Sequence, residues 1–296
     1  MLITNLPQHF LPFKLSSSLS ILFLYFFYTF LLLVTNPINN HLVKAHVFIY
    51  ADCSLDKYQP NSPFASNLNS LLFSIVSSSS QVLYNSYALG NDSSAPQEGS
   101  IYGLYQCRGD LQLKDCATCA ASAVSQINLV CSYTFGASLQ LDGCYLRYEN
   151  TDFLGKPDTS LRYNKCSKNQ LGAGDGDFLR RRDDVLADLE GATGFKVSSS
   201  GSIEGFAQCV GDLSVEDCNS CVSDAVMKLK TMCGSAAAAD VFFGQCYARY
   251  WASGYYHSSD SSNDDDVGKT VAIIVGVLAG VAVFIVLLSF CRKAVG

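Results

Sequence analysis

The chain has 296 residues and a net charge of −6, and 49% of its residues are hydrophobic, a fraction that is high for a soluble protein. Segment 46–266 contains 15 basic and 26 acidic residues, a net charge of −11, which argues against nucleic acid as a partner. The apolar excess lies in two stretches, one near each end of the chain. We therefore expect a globular region between two apolar segments.

The N-terminal apolar stretch predicts a signal peptide. It follows Lys14, covers 21–34 and leads to Val43-Lys44-Ala45, where residues of small or modest size precede a candidate cleavage point. We expect cleavage after Ala45, which makes 1–45 the signal peptide. An uncleaved signal anchor is the alternative, but this 14-residue apolar run is shorter than the roughly 20 residues that span a bilayer.

The cysteines indicate an internal duplication. Twelve of the thirteen lie between the two apolar stretches, an even number that is typical of a disulfide framework in an exported protein. The spacing Cys-x8-Cys-x2-Cys-x11-Cys-x12-Cys starts at Cys107 and recurs from Cys209, with every member displaced by 102 residues. Cys53 and Cys166 each precede one copy, so we expect three disulfides per copy. The two predicted domains are 46–155 and 156–256.

Metal binding and catalysis are less consistent with these residues. Cys-x2-Cys is also a zinc-ligand spacing, but all four histidines lie outside 53–251, and an all-cysteine site would leave two cysteines over in each copy. The missing histidine also excludes hydrolases that use a Cys–His or Ser–His–Asp nucleophile. Paired carboxylates remain a catalytic alternative, although acidic residues occur mostly in polar turns such as Gly109-Asp110 and Gly211-Asp212. We expect no enzyme, no metal and no cofactor.

In the first copy, apolar periodicity predicts two helices and at least three strands. The first helix has apolar residues three and four apart and ends in the Ser77–Ser80 run; its stripe is Phe64, Leu68, Leu71, Leu72, Ile75 and Val76. A second helix begins near Asp115 and carries Cys116 and Cys119 toward Cys131. Strands are predicted at Ile101–Cys107, Ala137–Leu141 and Cys144–Glu149, the last two joined by an Asp142-Gly143 turn.

The second copy repeats this order. Its first helix has the apolar stripe Phe178, Val185, Leu186 and Leu189, and we expect Arg180–Arg182 and Asp183–Asp184 on its solvated side. A strand at Ile203–Cys209 and a helix across 218–233 follow. The predicted fold class is α+β, with tandem small disulfide-stapled domains and a single transmembrane helix after them.

The C-terminal apolar stretch, Val271–Phe290, contains 20 residues without a charge and predicts a transmembrane helix. An acidic linker, 257–270, precedes it, and the tail 291–296 contains Arg292 and Lys293, so the basic side is cytoplasmic and both domains are extracellular. The small residues Ala272, Gly276 and Gly280 recur every four positions, which favours association with another helix. The alternative is that glycine is simply common in membrane helices.

Two positions are candidates for covalent modification. Cys291 lies at the cytoplasmic boundary, where reversible palmitoylation occurs, and an unmodified thiol is the alternative. Asn91-Asp92-Ser93 is the one unobstructed glycosylation sequon outside the membrane, and it falls in a polar segment.

Cys-x8-Cys-x2-Cys followed by a helix and by Cys-Tyr-x-Arg-Tyr resembles the ginkbilobin-like, stress-antifungal cysteine-rich domain of land plants. The resemblance covers roughly 53–251 and implies two helices packed on an antiparallel sheet in each copy. Spacing alone permits fifteen disulfide connectivities per copy. The resemblance implies these: Cys53–Cys131, Cys107–Cys116, Cys119–Cys144, Cys166–Cys233, Cys209–Cys218 and Cys221–Cys246.

Two such domains followed by one membrane helix and a short tail resemble the plasmodesmata-located proteins. That resemblance implies residence in the plasma membrane lining plasmodesmata and control of cell-to-cell trafficking. It also implies links to callose deposition, to defence and to binding of viral movement proteins. Because a six-residue tail holds no folded enzyme, signalling across the membrane would need protein partners, including self-association.

Single-domain ginkbilobin binds mannose through an Asn after the first cysteine, an Arg seven after the fifth and a Glu five after the sixth. The corresponding residues here are Ser54, Ser138 and Glu149 in copy one and Ser167, Asp240 and Trp251 in copy two. Most of the sugar-binding groups are therefore replaced, and we do not expect mannose binding.

The leading interpretation is a non-enzymatic membrane regulator of intercellular traffic. The alternative is a cell-surface carbohydrate receptor that binds a cell-wall glycan. A secreted antifungal protein is a third class, which the predicted membrane span opposes.

Overall fold

In the computed structural model, the described residues are 46–90, 99–168, 176–253 and 255. Several sequence-based expectations fall outside them and stay predictions: the signal peptide 1–45, the sequon at Asn91, the linker 257–270, the membrane span 271–290 with Ala272, Gly276 and Gly280, and Cys291. No helix among the described residues is long and apolar enough to cross a membrane.

The first domain folds from seven elements in its described residues: β1 Phe48–Cys53, α1 Pro63–Ser78, β2 Tyr84–Leu89, β3 Ile101–Cys107, α2 Leu113–Val130, β4 Ala137–Leu141 and β5 Cys144–Glu149. The predicted bounds of β3, β4 and β5 are confirmed. The sequence did not predict β1 and β2, which lie at the two edges of the sheet. Most of their side chains are partly exposed, so apolar alternation is weak.

Helix α1 begins where the sequence provides a cap. The Ser62 hydroxyl accepts a hydrogen bond from the Ala65 backbone N–H, and Pro63 opens the helix at a position that needs no donor. The predicted apolar stripe is buried from Phe64 to Ile75, whereas Val76 is only partly buried. Helix α2 begins two residues before the predicted Asp115.

The second domain has the same order of elements: β6 Leu161–Cys166, α3 Gly176–Leu189, β7 Lys196–Ser200, β8 Ile203–Cys209, α4 Val215–Cys233, β9 Ala238–Phe243 and β10 Cys246–Ala252. Ser214 caps α4 by accepting from the Asp217 backbone N–H at 3.1 Å. As in the first domain, the two edge strands, β6 and β7, were not predicted.

The predicted position of Arg182 was wrong. We expected Arg180–Arg182 on the solvated side of α3, but Arg182 is buried within the apolar stripe. Its guanidinium reaches past α3 and donates to the Gly234 carbonyl at the end of α4, while Asp183 accepts from its other nitrogens at 2.7 and 3.0 Å. A helix C-terminus leaves carbonyls without partners, so a cation is stabilised there.

Each domain is an antiparallel five-stranded sheet with two helices on one face, which confirms the predicted α+β class. The strand orders are β1-β4-β5-β3-β2 and β6-β9-β10-β8-β7. The two helices of each domain bury their apolar stripes against the sheet, and this contact forms a separate hydrophobic core in each domain.

Six disulfides join the twelve described cysteines in the pairs that the family resemblance implied. In the first domain they connect α2 or its C-terminal end to β1, β3 and β5. Because every one of these cysteines is bonded to another, none is available as a zinc ligand.

The helix-free faces of the two sheets pack against each other. Tyr50 of β1 stacks on its counterpart Tyr163 of β6 with ring centroids 6.2 Å apart, and both rings contact Phe242 of β9. This packing explains why all five residues of β4 are buried: one face meets the helices and the other meets the second domain. The sequence predicted the alternation of β4 but did not predict that the second domain buries its other face.

Candidate functional site

Three predicted positions of the first domain meet in one cleft. Ser54 follows β1, Ser138 lies on β4 and Glu149 ends β5, and these strands are neighbours in the sheet. The cleft has a volume of about 190 Å³. Its other polar lining residues are Asp52, Asp56, Arg147, Asn150 and Arg162.

The two serines of the cleft have different surroundings. The Ser54 hydroxyl accepts from the Gly136 backbone N–H at 3.0 Å and donates to the Asp56 carbonyl at 3.2 Å, which closes the loop after β1. Ser138 is buried in the centre of the sheet, where it lies opposite Asp52 on one side and Arg147 on the other.

Arg147 lines the cleft and is buried. Its Nε and Nη2 donate to Oε1 of Glu149 at 2.8 and 2.5 Å, its Nη1 donates to Asp158 at 3.0 Å, and its guanidinium lies 4.3 Å from the centre of the Phe153 ring. Burial by itself lowers the pKa of Arg147. Nearby Tyr145, Glu149 and Asp158 raise this pKa by a larger amount, so the net pKa is above its ordinary value. Glu149 is therefore engaged by a permanent cation of its own domain.

The second domain contributes the wall of the cleft. Arg162 on β6 donates to Asp158 at 2.9 Å and pairs with Asp52 of β1. Burial raises the pKa of Asp158, whereas hydrogen bonds from Ser160 and Arg162 lower it, and the net pKa is about 2. Its carboxylate is charged at physiological pH. In the cleft, Asp52, Glu149, Arg147 and Arg162 are all engaged in ion pairs.

At the matching positions of the second domain, the three side chains contact other residues of the same domain. Ser167 accepts from the Ala238 backbone N–H at 3.3 Å, as Ser54 does in the first domain. Asp240 accepts from Nε of Arg249 at 2.7 Å, and the Trp251 ring meets the Phe206 ring edge-on with centroids 5.5 Å apart. The two copies therefore differ in chemistry at this place.

Sequence reasoning missed the role of one repeated residue, the arginine of Cys-Tyr-x-Arg-Tyr. Both copies of this arginine, Arg147 and Arg249, are buried at the junction of the domains. Arg249 crosses to the first domain, where Asp142 accepts from its Nη1 at 2.5 Å, and the other oxygen of Asp142 accepts from Arg108 at 2.7 Å. The repetition of this arginine in both copies of the motif was the one sequence signal that could have indicated its role.

The sequence predicted a hairpin turn at Asp142-Gly143 but did not predict that the Asp142 side chain is buried. The turn itself is present between β4 and β5, but the carboxylate is largely buried between two guanidinium groups. Burial raises the pKa of Asp142, and the charges and hydrogen bonds of Arg249 and Arg108 lower it more, so the net pKa lies below its ordinary value.

The second domain lacks an aspartate at the matching turn, where Gly244 takes its place. A Cβ atom built on Gly244 would overlap the carboxyl group of Asp158. Asp158 comes from the connection between the domains, and its backbone N–H donates to Gln245 at 2.8 Å. The segment between the domains thus supplies the carboxylate that the turn between β9 and β10 lacks. Both Arg147 and Arg249 are therefore paired with a carboxylate at the junction of the domains.

A protein-family model described as salt stress response/antifungal matches residues 52–151 and 165–253. The chain is 59% identical over 254 residues to plasmodesmata-located protein 8 of Arabidopsis thaliana, a match that covers 85% of this chain and 91% of that relative. It is also 30% identical over 221 residues to an antimicrobial ginkbilobin-2-like protein of Castanea crenata, covering 71% of this chain and 89% of that protein.

Solved structures show the same tandem arrangement. The crystal structure of the tandem ectodomain of the Arabidopsis thaliana cysteine-rich receptor-like protein PDLP8 matches with a TM-score of 0.68 at 58% identity, covering 71% of this chain and all of that one. The corresponding ectodomain of PDLP5 matches with a TM-score of 0.66 at 40% identity, covering 70% of this chain and 99% of that one.

Proposed function

The chain belongs to the plasmodesmata-located proteins of the salt stress response/antifungal family, and on this premise we propose that it is a receptor-like membrane protein of plasmodesmata. In this role both domains lie outside the cell, one helix crosses the membrane, and the protein regulates traffic between cells. The similarity to plasmodesmata-located protein 8 along 91% of that relative supports the proposal.

The mode of action that we propose is binding rather than catalysis. The observation that carries it is the packing of two sheets into one ectodomain, with its charged groups paired across the junction. Such an arrangement presents fixed surfaces to a partner, and residues 53–251 contain no histidine that could act as the base beside a nucleophile. Links to callose deposition, defence and viral movement proteins would then follow from recruitment of protein partners.

Localisation tests the first part of this proposal. A fluorescent protein fused to the C-terminus of the full chain is expected to appear in leaf epidermis as paired puncta across shared cell walls, coincident with callose staining. Uniform plasma-membrane fluorescence would contradict a plasmodesmal role.

Movement of a free fluorescent protein from single transformed cells tests the second part. Raising the amount of the full chain is expected to change the number of neighbouring cells that this tracer enters. A matched truncated variant that ends after residue 256 lacks the predicted span and is expected to have no effect. If tracer movement is the same with and without the full chain, the chain is not a regulator of this traffic.

Carbohydrate binding is a second candidate, and one observation favours it: the cleft of about 190 Å³ gathers the three positions that correspond to the sugar-binding positions of ginkbilobin. Full-length chain in detergent micelles can be applied to an array of cell-wall glycans, together with its Glu149→Gln variant. Binding that the substitution abolishes would support a lectin. Failure to bind any glycan would leave protein partners as the mode of action.

A further inference from the structure

The helical face of the first domain carries almost no charge. Residues 59–90 and 116–141 include all of α1 and most of α2, and they contain no Asp, Glu, Lys, Arg or His. All of these residues are described by the structure. We call the outer surface of α1 and of residues 116–130 in α2, together with Leu55 and Tyr133, the neutral face. Lys114 and Asp115 at the start of α2 lie outside it, and Lys57, whose Nζ donates to the Ser132 carbonyl at 2.6 Å, lies at its edge.

The fold does not require this neutrality. The matching helices of the second domain have the same packing, yet α3 carries seven charged side chains among its 14 residues. Helix α4 carries charged side chains as well: Glu216, Asp217, Asp224, Lys228 and Lys230. Soluble surfaces are normally rich in charge, so a face without charge calls for an explanation other than solubility.

Large apolar side chains project from the neutral face. Phe73 of α1 is 76% exposed and points away from the sheet that its neighbours Leu72 and Ile75 contact. Leu129 at the end of α2 is 78% exposed, and Val130 beside it is about half exposed. Exposed aromatic and aliphatic groups without charged neighbours are a mark of interaction surfaces, and here they stand among the small neutral side chains Ser66, Asn69, Ser70 and Ser77 of α1.

Tyr133 extends this face and is held in place at a conformational cost. Its φ is +61°, and it is the one residue other than glycine with positive φ among the described residues. The second domain has Gly234 one position earlier with φ +49°. A side chain other than glycine in this region costs of order 1 kcal/mol. The exposed Tyr133 ring is nevertheless fixed, since its carbonyl accepts from the Tyr58 backbone N–H at 2.9 Å and the two rings pack edge-on.

The neutral face has the size of a stable dimer interface. The helices contain 16 and 18 residues, which makes them about 24 and 27 Å long. They run antiparallel, because Phe64 at the start of α1 packs beside Phe135 just after α2, and Val82 just after α1 lies beside Cys116 near the start of α2. At a helix spacing of about 10 Å the pair projects about 500 Å², which is of the same order as the roughly 800 Å² per partner of standard interfaces.

We propose that the neutral face binds the neutral face of a second copy of this chain. The region 46–266 has a net charge of −11, so two copies repel each other wherever charged surfaces meet. An uncharged face avoids this repulsion and is complementary to itself. Contact of one patch with its own copy gives a twofold symmetric dimer, in which Phe73 and Leu129 of each copy are buried.

Counting subunits in the full chain tests this interaction. Two full-length populations with different fluorophores, solubilised in detergent, are mixed and their association is measured over a range of concentrations. The Phe73→Lys and Leu129→Lys variants are expected to raise the dissociation constant at least about tenfold, because they bury a charge in the interface. Both side chains are exposed, so thermal unfolding should not change.

Matched controls come from the second domain. Ala187 occupies in α3 the place of Phe73, and Thr231 occupies in α4 the place of Leu129; both are exposed. Ala187→Lys and Thr231→Lys are expected to leave association unchanged. Gly276→Leu with Gly280→Leu provides a background without the predicted contact between membrane helices, and the dimer should persist there. Equal effects of the substitutions in the two domains, loss of the dimer in this background, or a monomer at all concentrations would overturn the proposal.

Discussion

Two arginines at matching positions hold the domains together through acids of different origin. Arg249 uses Asp142, which the turn of the opposite domain supplies, whereas Arg147 uses Asp158 of the connecting segment because Gly244 replaces the aspartate at the second turn. Each arginine is buried, so its charge must be compensated. Duplication preserved the arginine and changed the source of the acid.

Removing Asp142 should destabilise the pair of domains. Asp142→Ala leaves Arg249 and Arg108 without their shared buried carboxylate, and we expect the free energy of unfolding to fall by about 3 kcal/mol. Urea unfolding followed by fluorescence of Trp251, the one tryptophan of the chain, measures this loss. Asp110→Ala is the control, since Asp110 also pairs with Arg108 but is 47% exposed. The control should cost less than about 1 kcal/mol; equal losses would contradict a special role for Asp142.

The stabilisation by Asp158 should depend on acidity. The folded pKa of Asp158, about 2, lies below its ordinary value of 3.8, so its ionised form stabilises the fold. This contribution is complete above the ordinary pKa and is lost as pH falls through about 2. Thermal unfolding at pH 6 and pH 2 should show a deficit in Asp158→Asn that is large at pH 6 and small at pH 2. Asp184→Asn, at an exposed ion pair, is expected to have little effect at either pH.

At the scale of elements, α2 and α4 are the most constrained parts of their domains. Each carries two cysteines in its first two turns and ends at a third, and these bond to three different strands. The bridges differ in the length of chain they close, from 9 residues at Cys107–Cys116 to 78 at Cys53–Cys131. Longer closures remove more entropy from the unfolded chain.

The longer bridge should therefore stabilise the first domain more. Replacing Cys53 and Cys131 by alanine is expected to lower the free energy of unfolding by about 4.5 kcal/mol, and replacing Cys107 and Cys116 by about 2.6 kcal/mol. Urea unfolding of the two double variants under identical conditions compares these losses. The opposite order would show that packing around the short bridge outweighs chain entropy.

In the whole molecule, the two domains contact each other through matching features. Gln106 accepts from the Gly211 backbone N–H, and its counterpart Gln208 donates to the Cys107 carbonyl, both at 3.0 Å. The turn glycines Gly109 and Gly211 each abut an aromatic ring of the opposite domain, Phe195 and Tyr84 respectively. Both turns approach so closely that a Cβ atom has no room.

A methyl group at this contact should separate the domains slightly. Gly109→Ala would place its Cβ in overlap with Phe195, and we expect a loss of about 1–3 kcal/mol in the free energy of unfolding. Gly194→Ala is the control, because nothing lies within 4 Å of a Cβ built there. Adding Phe195→Ala to Gly109→Ala should cost less than the sum of the single changes. Simple additivity in this double-mutant cycle would contradict the contact.

Local patterns predicted most of each domain. Apolar spacing identified α1 from Phe64 to Ile75, and the bounds of β3, β4 and β5 followed from alternation. The edge strands were missed because their side chains are partly exposed and their periodicity is weak. The position of Arg182 was predicted wrongly because the sequence shows its charge but does not show that the Gly234 carbonyl accepts a hydrogen bond from its guanidinium.

Cysteine spacing, duplication and periodicity are local or repeated properties, so the sequence alone determined two α+β domains and, through the family resemblance, implied their disulfide pairs. It did not determine that the helix-free face of each sheet is covered by the other domain. Asp142 and Arg249 are 107 residues apart, and no spacing rule connects them. Only the tertiary structure brought them together, because packing two sheets buries groups that each domain alone would leave in water.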